Sequence, residues 1–378
     1  MIDTKEFYDH LIEKNMDFFT GVPDSLLANF CACVKQNAPD SRNIIAANEG
    51  NAVGIACGYH IATGRYGVVY MQNSGEGNAV NPLLSIADEE VYSIPLLLMI
   101  GWRGEPGTKD EPQHKKQGKV TLALLEAMDI EYEILDDNYI PQIDRAVKYM
   151  QACSKPFAIV VRKGTFSPYK SEAARSDYPL SREDALKFVL DCIPEEDFIV
   201  STTGKTSREI FEIREARGQG HSGDFLTVGG MGHTSSIALG MSLGTKRNVY
   251  CIDGDGSFIM HMGSFAINAD KAGANFKYIL NNNGAHESVG GQPTVGFKID
   301  VPAILKAVGF QHIYTAETPE EITAAMEQLA KVRLGALIIY THQGSRDDLG
   351  RPTVSPAENK IAMMERFLCN VKGNDNHE

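Results

Sequence analysis

Gly254-Asp255-Gly256-Ser257 and Leu280-Asn281-Asn282-Asn283-Gly284 decide the fold. The apolar run Val249-Tyr250-Cys251-Ile252 reads as a buried strand stopping at the first segment. Phe276-Lys277-Tyr278-Ile279-Leu280 reads as the next strand, stopping at the asparagines. Asp255 and Asn282, 27 residues apart, therefore emerge at one end of a sheet. In a parallel β-α-β unit, neighbouring strands end on the same edge, where their loops can hold a hard cation through a carboxylate, an amide oxygen and a backbone carbonyl. Magnesium suits such ligands and commonly accompanies phosphates.

The same alternation of apolar strand-like runs and amphipathic helical runs extends to both ends of the chain, which implies α/β architecture with parallel sheets. Asp3-Thr4 caps a helix through about Lys14, and Asp17-Phe18-Phe19-Thr20 is a short strand ending at Gly21-Val22-Pro23-Asp24. Ile44-Ile45-Ala46-Ala47, Gly67-Val68-Val69-Tyr70-Met71, the run 94–100 and Phe157-Ala158-Ile159-Val160-Val161-Arg162 supply further strands. Residues 166–180, poor in large aliphatics and carrying Pro, Ser and charge, are expected to link two domains, 1–165 and 181–378. The second half opens with a helix from Ser181, continues with strand Phe198-Ile199-Val200-Ser201 and alternates to Leu337-Ile338-Ile339-Tyr340. No short-period repeat is visible, which excludes solenoids and propellers.

The formal charge of −13 argues against nucleic acid and against anionic membrane surfaces, both of which require a basic footprint. An anionic substrate would then need a local cationic pocket. The chain starts without a basic region before an apolar core and has no apolar run of membrane-spanning length, so a cytoplasmic protein is expected. Seven cysteines at 31, 33, 57, 153, 192, 251 and 369 match neither a disulfide framework nor a Cys-x-x-Cys metal site, and are expected to be buried reduced thiols. His221, His233 and His261 form no zinc spacing.

Glu49 follows an apolar strand and precedes a helix rich in small residues (Ala52, Gly54, Ala56, Gly58), a setting that buries a carboxylate, raises its pKa and lets it share a proton with a ring nitrogen. Thr202-Thr203-Gly204-Lys205-Thr206-Ser207 looks like the end of a Walker A loop, but its first glycine would fall on Ile199. Lying between a strand and a helix, it can still hold an anion through Gly204, Lys205 and Thr206. Dinucleotide fingerprints fail, because Ser235 and Ile259 stand where the third glycine belongs. The loop Trp102-Arg103-Gly104-Glu105-Pro106-Gly107-Thr108-Lys109-Asp110-Glu111-Pro112-Gln113-His114 follows a buried strand and is dense in charge, a common place for chemistry.

Gly-Asp-Gly followed at this distance by paired asparagines resembles the motif of thiamine diphosphate enzymes. The segment 47–52 resembles their pyrimidine-binding segment. The loops 21–25, 102–114 and 284–292 resemble those of the phosphonopyruvate decarboxylases, a short branch of the thiamine diphosphate-dependent 2-oxo acid decarboxylases without a middle domain. The resemblance runs from about residue 1 to 345. It implies two doubly wound parallel-sheet domains, one binding pyrimidine and one binding diphosphate and Mg²⁺. By it, Asp255, Asn282 and the carbonyl of Gly284 hold the metal, and Gly254, Gly256 and Ser257 line the coenzyme. Met231 wedges its two rings into a bent form, the Gly229 carbonyl accepts from the 4′-amino group, and Glu49 promotes the imino tautomer.

The implied reaction turns 3-phosphonopyruvate into phosphonoacetaldehyde and carbon dioxide through an ylide and an enamine, the thiazolium serving as electron sink. Phosphonate biosynthesis follows, where this step draws forward an unfavourable isomerisation. Asp24, His114 and His286 are candidates to relay protons; Arg103, Lys109, Gln113 and Lys205 are candidates to bind the substrate. Lys205 stands where this family would be expected to carry a neutral residue. Family active sites between subunits imply a homo-oligomer. The alternatives are a sulfopyruvate decarboxylase, an acetolactate synthase-like carboligase, and a non-catalytic relative, against which the joint presence of Glu49, Asp255 and Asn282 argues.

Overall fold

The computed structural model describes residues 1–170 and 176–374, with side chains through 368. They form two compact units, Met1–Ala173 and Ala174–Glu378. In the first, six strands, β1 Phe18–Gly21, β2 Asn43–Ile45, β3 Gly67–Gln72, β4 Leu97–Gly101, β5 Glu131–Ile134 and β6 Phe157–Val161, make one sheet in the order β2-β1-β3-β4-β6-β5. Every neighbouring pair is parallel. Such a sheet must be covered on both faces, which is why β3, β4 and β6 are almost continuously apolar and buried. Alternate side chains serve opposite cores: Val68 and Tyr70 pack with Phe7 and Phe19, while Val69 and Met71 pack with Ala52, Leu98 and Ile100.

The second unit repeats this plan. Its strands are β7 Phe198–Ser201, β8 Asp224–Leu226, β9 Val249–Gly254 and β10 Phe276–Asn282, then a small antiparallel ribbon of β11 Ala285–His286 and β12 Gln292–Pro293, and finally β13 His312–Ala316 and β14 Gly335–Tyr340. The main sheet runs β8-β7-β9-β10-β14-β13, the same order of first to sixth strand as in the other unit. In each sheet the strand order reverses between its first and third strands, and the loops there open the crevice in which doubly wound sheets bind ligands.

The expected α/β architecture of two parallel sheets is what the chain adopts. Asp3 caps the helix Thr4–Glu13 by accepting from the backbone N–H of Lys5 and Glu6. The strand expected over 94–100 begins only at Leu97, after Pro95, because proline has no N–H for a ladder. The short edge strand β8 and the ribbon of β11 and β12 were not foreseen, nor were β5 and β13. Of these, β5 and β13 are partly exposed edge strands whose sequences lack the buried-strand signature.

The segment expected as a linker, 166–180, is shared between the units. Phe166 belongs to the first core, Tyr178 stacks on Tyr340 in the second unit, and 171–175 lie outside the described residues. Cys31, Cys33, Cys57 and Cys251 are free and buried as expected, but Cys153 is exposed and Cys192 half-buried, each near the end of an amphipathic helix. The side chain of Cys369 lies outside the described residues.

Candidate active site

At the carboxyl edge of the second sheet, Asp255 opens a helix directly after β9 and Asn282 ends β10, the strand paired with it. Their oxygens converge on Gly296: a Cβ there would lie 2.6 Å from Asn282 Oδ1 and 2.8 Å from Asp255 Oδ2, so only glycine fits. Thr294 Oγ1 donates to Asp255 Oδ2, Asn282 Nδ2 donates to the Gly296 carbonyl at 2.7 Å, and Gly284 N–H donates to Asn282 Oδ1 at 3.2 Å.

Asp255 is 3% exposed, and no ion pair among the described residues reaches it. Burial pushes its carboxyl up to about 6 against the opposing Thr294 hydroxyl. A buried carboxylate without a counter-charge, facing an amide oxygen, suits a hard divalent cation. Among the described residues no group of three or more His, Cys, Asp and Glu is placed to hold a metal ion. The second aspartate, Asp253, is also buried and pushed up to about 6, with Tyr278 Oη at 3.4 Å.

A pocket of about 90 Å³ adjoins this point. It is lined by Thr202, Lys205, Thr206, Gly254, Gly256 and Ser257 among others, and by Met231 and His286. Gly204 precedes the 12-residue helix Lys205–Ala216, whose first N–H groups face it with the favourable end of the dipole for an anion. Ser257 Oγ accepts from Gly232 N–H at 3.1 Å, tying the loop of Gly229 and Met231 to the Asp255 helix. The Met231 Cε lies 3.1 Å, and the His286 ring 2.9 Å, from where a Cβ on Gly256 would be. Burial pushes His286 down to about 4, so it is neutral near pH 7. Lys205 Nζ donates to Ser345 Oγ at 2.6 Å and lies 3.9 Å from Glu287. Glu287 and Glu209 both bind Arg182, which the sequence reading missed. These acids already neutralise the cationic wall.

In the first unit the carboxyl edge carries Glu49 after β2, Asp24 after β1, Gln72 and Asn73 at the end of β3 and Arg103 after β4. Glu49, 5% exposed, begins the helix Glu49–Thr63, which Asn48 caps. Asn78 Nδ2 donates to Glu49 Oε2 at 2.7 Å, and a Cβ on Gly75 would meet the Glu49 carboxyl at 2.3–2.4 Å. Asp24 accepts from Gln72 Nε2 at 2.6 Å, and its full burial raises its pKa. His114 is buried on the helix Pro112–Ala127, lowered by burial and by Arg103, with Nδ1 lacking a partner among the described residues. Gln113 lies beside it, Nε2 at 3.5 Å from His114 Nε2.

Arg103 is held on all sides. Its Nε and Nη2 donate to Asp110, Nη1 donates to Ser25 Oγ at 2.8 Å, and Asn73 clasps its backbone through both N–H and carbonyl. Burial alone would raise Asp110, but hydrogen bonds from Arg103 and from two backbone N–H groups hold its carboxyl well below the usual range. Lys109 is exposed. The structure thus groups Glu49, Asp24, His114, Arg103, Lys109 and Gln113 on one unit, and Lys205, His286, Met231, Asp255 and Asn282 on the other. Gln72, Asn78, Thr294 and Gly296 went unread, since nothing local marks a polar side chain that supports another.

Glu76 was also missed. It is 4% exposed, its Oε1 lacks a partner among the described residues, and burial, weakly opposed by Thr121, pushes it up to about 8. A carboxyl raised this way costs no stability below its unfolded value of 4.5; stability then falls, by about 1.4 kcal/mol per pH unit, until the native group ionises near 8. Glu76→Gln lacks that slope, so its melting temperature should gain on wild type between about pH 5 and 8. Parallel melting curves across that range would contradict the burial argument.

Residues 4–124 match the N-terminal TPP binding domain of thiamine pyrophosphate enzymes, and residues 202–339 match their C-terminal TPP binding domain. A phosphonopyruvate decarboxylase of Streptomyces viridochromogenes is 33% identical over 95% of this chain and 93% of its own. One of Streptomyces hygroscopicus is 33% identical over 95% and 92%. A sulfopyruvate decarboxylase of Methanosarcina acetivorans is 25% identical over 85% and 86%. The chain therefore belongs to the thiamine diphosphate-dependent decarboxylases, in the family of the phosphonopyruvate decarboxylases.

Proposed function

We propose that the protein decarboxylates 3-phosphonopyruvate to phosphonoacetaldehyde and carbon dioxide, in the service of phosphonate biosynthesis. The observation that carries a magnesium-anchored coenzyme is the convergence of Asp255 Oδ2 and Asn282 Oδ1 on Gly296. Identity of 33% over 95% of the chain to phosphonopyruvate decarboxylases, against 25% over 85% to a sulfopyruvate decarboxylase and 31% over 46% to a sulfopyruvate decarboxylase subunit, favours the phosphonate substrate. When bound, thiamine diphosphate supplies the electron sink that loss of carbon dioxide from a 2-oxo acid requires.

The chain's own residues do the rest. Asp255, Asn282 and the Gly284 carbonyl would hold Mg²⁺, and the N–H groups at Gly204 to Thr206 with Lys205 would take the diphosphate. Met231, which lines the same pocket, would support the coenzyme. Glu49, its carboxyl fixed by Asn78, would hold or release a proton toward the pyrimidine ring of a bound coenzyme. Asp24, raised by burial, and His114, lowered by it, are opposite in tendency and suit proton donation and acceptance at the substrate. Carbon dioxide release measured with phosphonopyruvate, sulfopyruvate and pyruvate side by side tests the reading; sulfopyruvate as the best substrate would replace it.

We further infer a cytoplasmic homo-oligomer with active sites between subunits. No helix of the described residues is long and apolar enough to cross a membrane. The helix of Glu49 leaves an open face: a Cβ on Gly54 or Gly58 would touch nothing within 4 Å, and Ile61 is 73% exposed. That face suits close packing against another copy. Ile61→Asp should shift the protein toward monomer in sedimentation and lower turnover together; an unchanged assembly would remove this face from consideration.

A further inference from the structure

Beside Asp24, within the first unit, lies a cleft of about 350 Å³ lined by Ser25, Asn29, Arg103, Thr108, Lys109 and Lys163, with Trp102 and Phe166 as apolar walls. Lys163 stands on the turn after β6 in Arg162-Lys163-Gly164 and is exposed. We propose that this cleft takes the tetrahedral oxyanion at the far end of the substrate, and that Lys163 is the specificity-determining cation for the second charge of a phosphonate.

The charges favour it. Arg103 uses three of its five N–H groups on Asp110 and Ser25, which makes it a fixed cation with two donors left. Of the acids lining the cleft, Asp110 is committed to Arg103 and Glu105 to Arg162 at 2.7 Å. Lys109 and Lys163 have no ion pair or hydrogen bond among the described residues. They come from two different loops, after β4 and after β6, and can approach one anion from two directions. In a chain of net charge −13, two unpaired lysines beside a fixed arginine make a local positive well.

The location suits the reaction as well. Ser25, on the cleft wall, follows the fully buried Asp24 directly, and Arg103 bonds its hydroxyl, so an acid bound by its distal group here lies next to the strand end that carries Asp24. A monoanionic group is met by Arg103 alone. A dianion calls on a lysine too, and a substrate without a distal anion, such as pyruvate, gains nothing from the cleft.

This inference rests on the decarboxylase reading above, and the test separates the two. Holoenzyme carrying Lys163→Met should show a KM for phosphonopyruvate raised about ten- to a hundredfold, with kcat little changed and the constants for pyruvate unmoved. Lys163→Arg should restore most of the loss. Calorimetry with 3-phosphonopropionate, which lacks the reacting ketone, should show the same loss of affinity. In wild type, 3-sulfopropionate should bind about tenfold more weakly than 3-phosphonopropionate. Equal affinity for the two, or a Met variant that binds 3-phosphonopropionate as wild type does, overturns the assignment. Binding of 3-phosphonopropionate that depends on Lys163, in a protein that does not turn over phosphonopyruvate, would uphold the cleft and sink the substrate reading.

Discussion

Glu49→Ala is expected to lower kcat by about a thousandfold or more, toward the upper end of what a positioned acid-base group contributes. Thiamine diphosphate should still bind in the presence of Mg²⁺. The carboxyl is packed on one side by Gly75 and fixed on the other by Asn78 Nδ2, so its geometry is specified before any ligand arrives. That is the economy of a preorganised site: no reorientation is required at the moment of proton exchange. Asn78→Ala should cost less, because the carboxylate remains and only its orientation loosens. Gly75→Ala should mimic the Glu49 loss, since its Cβ would need the space that the Glu49 carboxyl fills. Steady-state turnover beside calorimetric coenzyme affinity tells these apart, and near-normal turnover in Glu49→Ala would refute the role.

The other large effect belongs to Asp255. Asp255→Ala should weaken Mg²⁺-dependent coenzyme uptake at least about a hundredfold, beyond the 10–100-fold typical of removing an outer-shell partner of a metal ligand. Chelation of the metal from wild type should have the same consequence, and the variant should then respond little to added Mg²⁺. The buried carboxylate is costly when empty of its counter-charge, as its displacement to about 6 indicates, so Asp255→Ala should lose coenzyme yet keep or gain stability in the bare protein. Gly296→Ala should reproduce the binding defect, because its Cβ would fall within 2.8 Å of both Asp255 and Asn282 oxygens. Coenzyme uptake by Asp255→Ala equal to wild type would end the metal assignment.

Much of this was legible in one dimension. The strand ends that carry Asp255 and Asn282 are bounded by apolar runs and turn residues, signals that lie within a few positions of each other. Parallel strands end on one edge by construction, so two such ends imply a shared site. The edge strands β5 and β13 escaped because their sequences, Glu131-Tyr132-Glu133-Ile134 and His312-Ile313-Tyr314-Thr315-Ala316, are only partly buried and lack a run of apolar residues. Their pairing is decided by neighbours β6 and β14, far away in the chain.

The sequence alone determined the class of fold, the repeat of strand and helix, and the residues with the right chemistry at strand mouths, because period and turn chemistry are local properties. Only the tertiary structure decided which groups support them. Thr294 reaches Asp255 across 39 residues, Gln72 reaches Asp24 across 48, and Asn73 clasps Arg103 across 30. The cleft that gathers Ser25, Arg103 and Lys163 likewise exists only because β1, β4 and β6 end on one edge. A hydrogen bond or a charge balance depends on distance in space, and no pattern of neighbours along the chain encodes that distance.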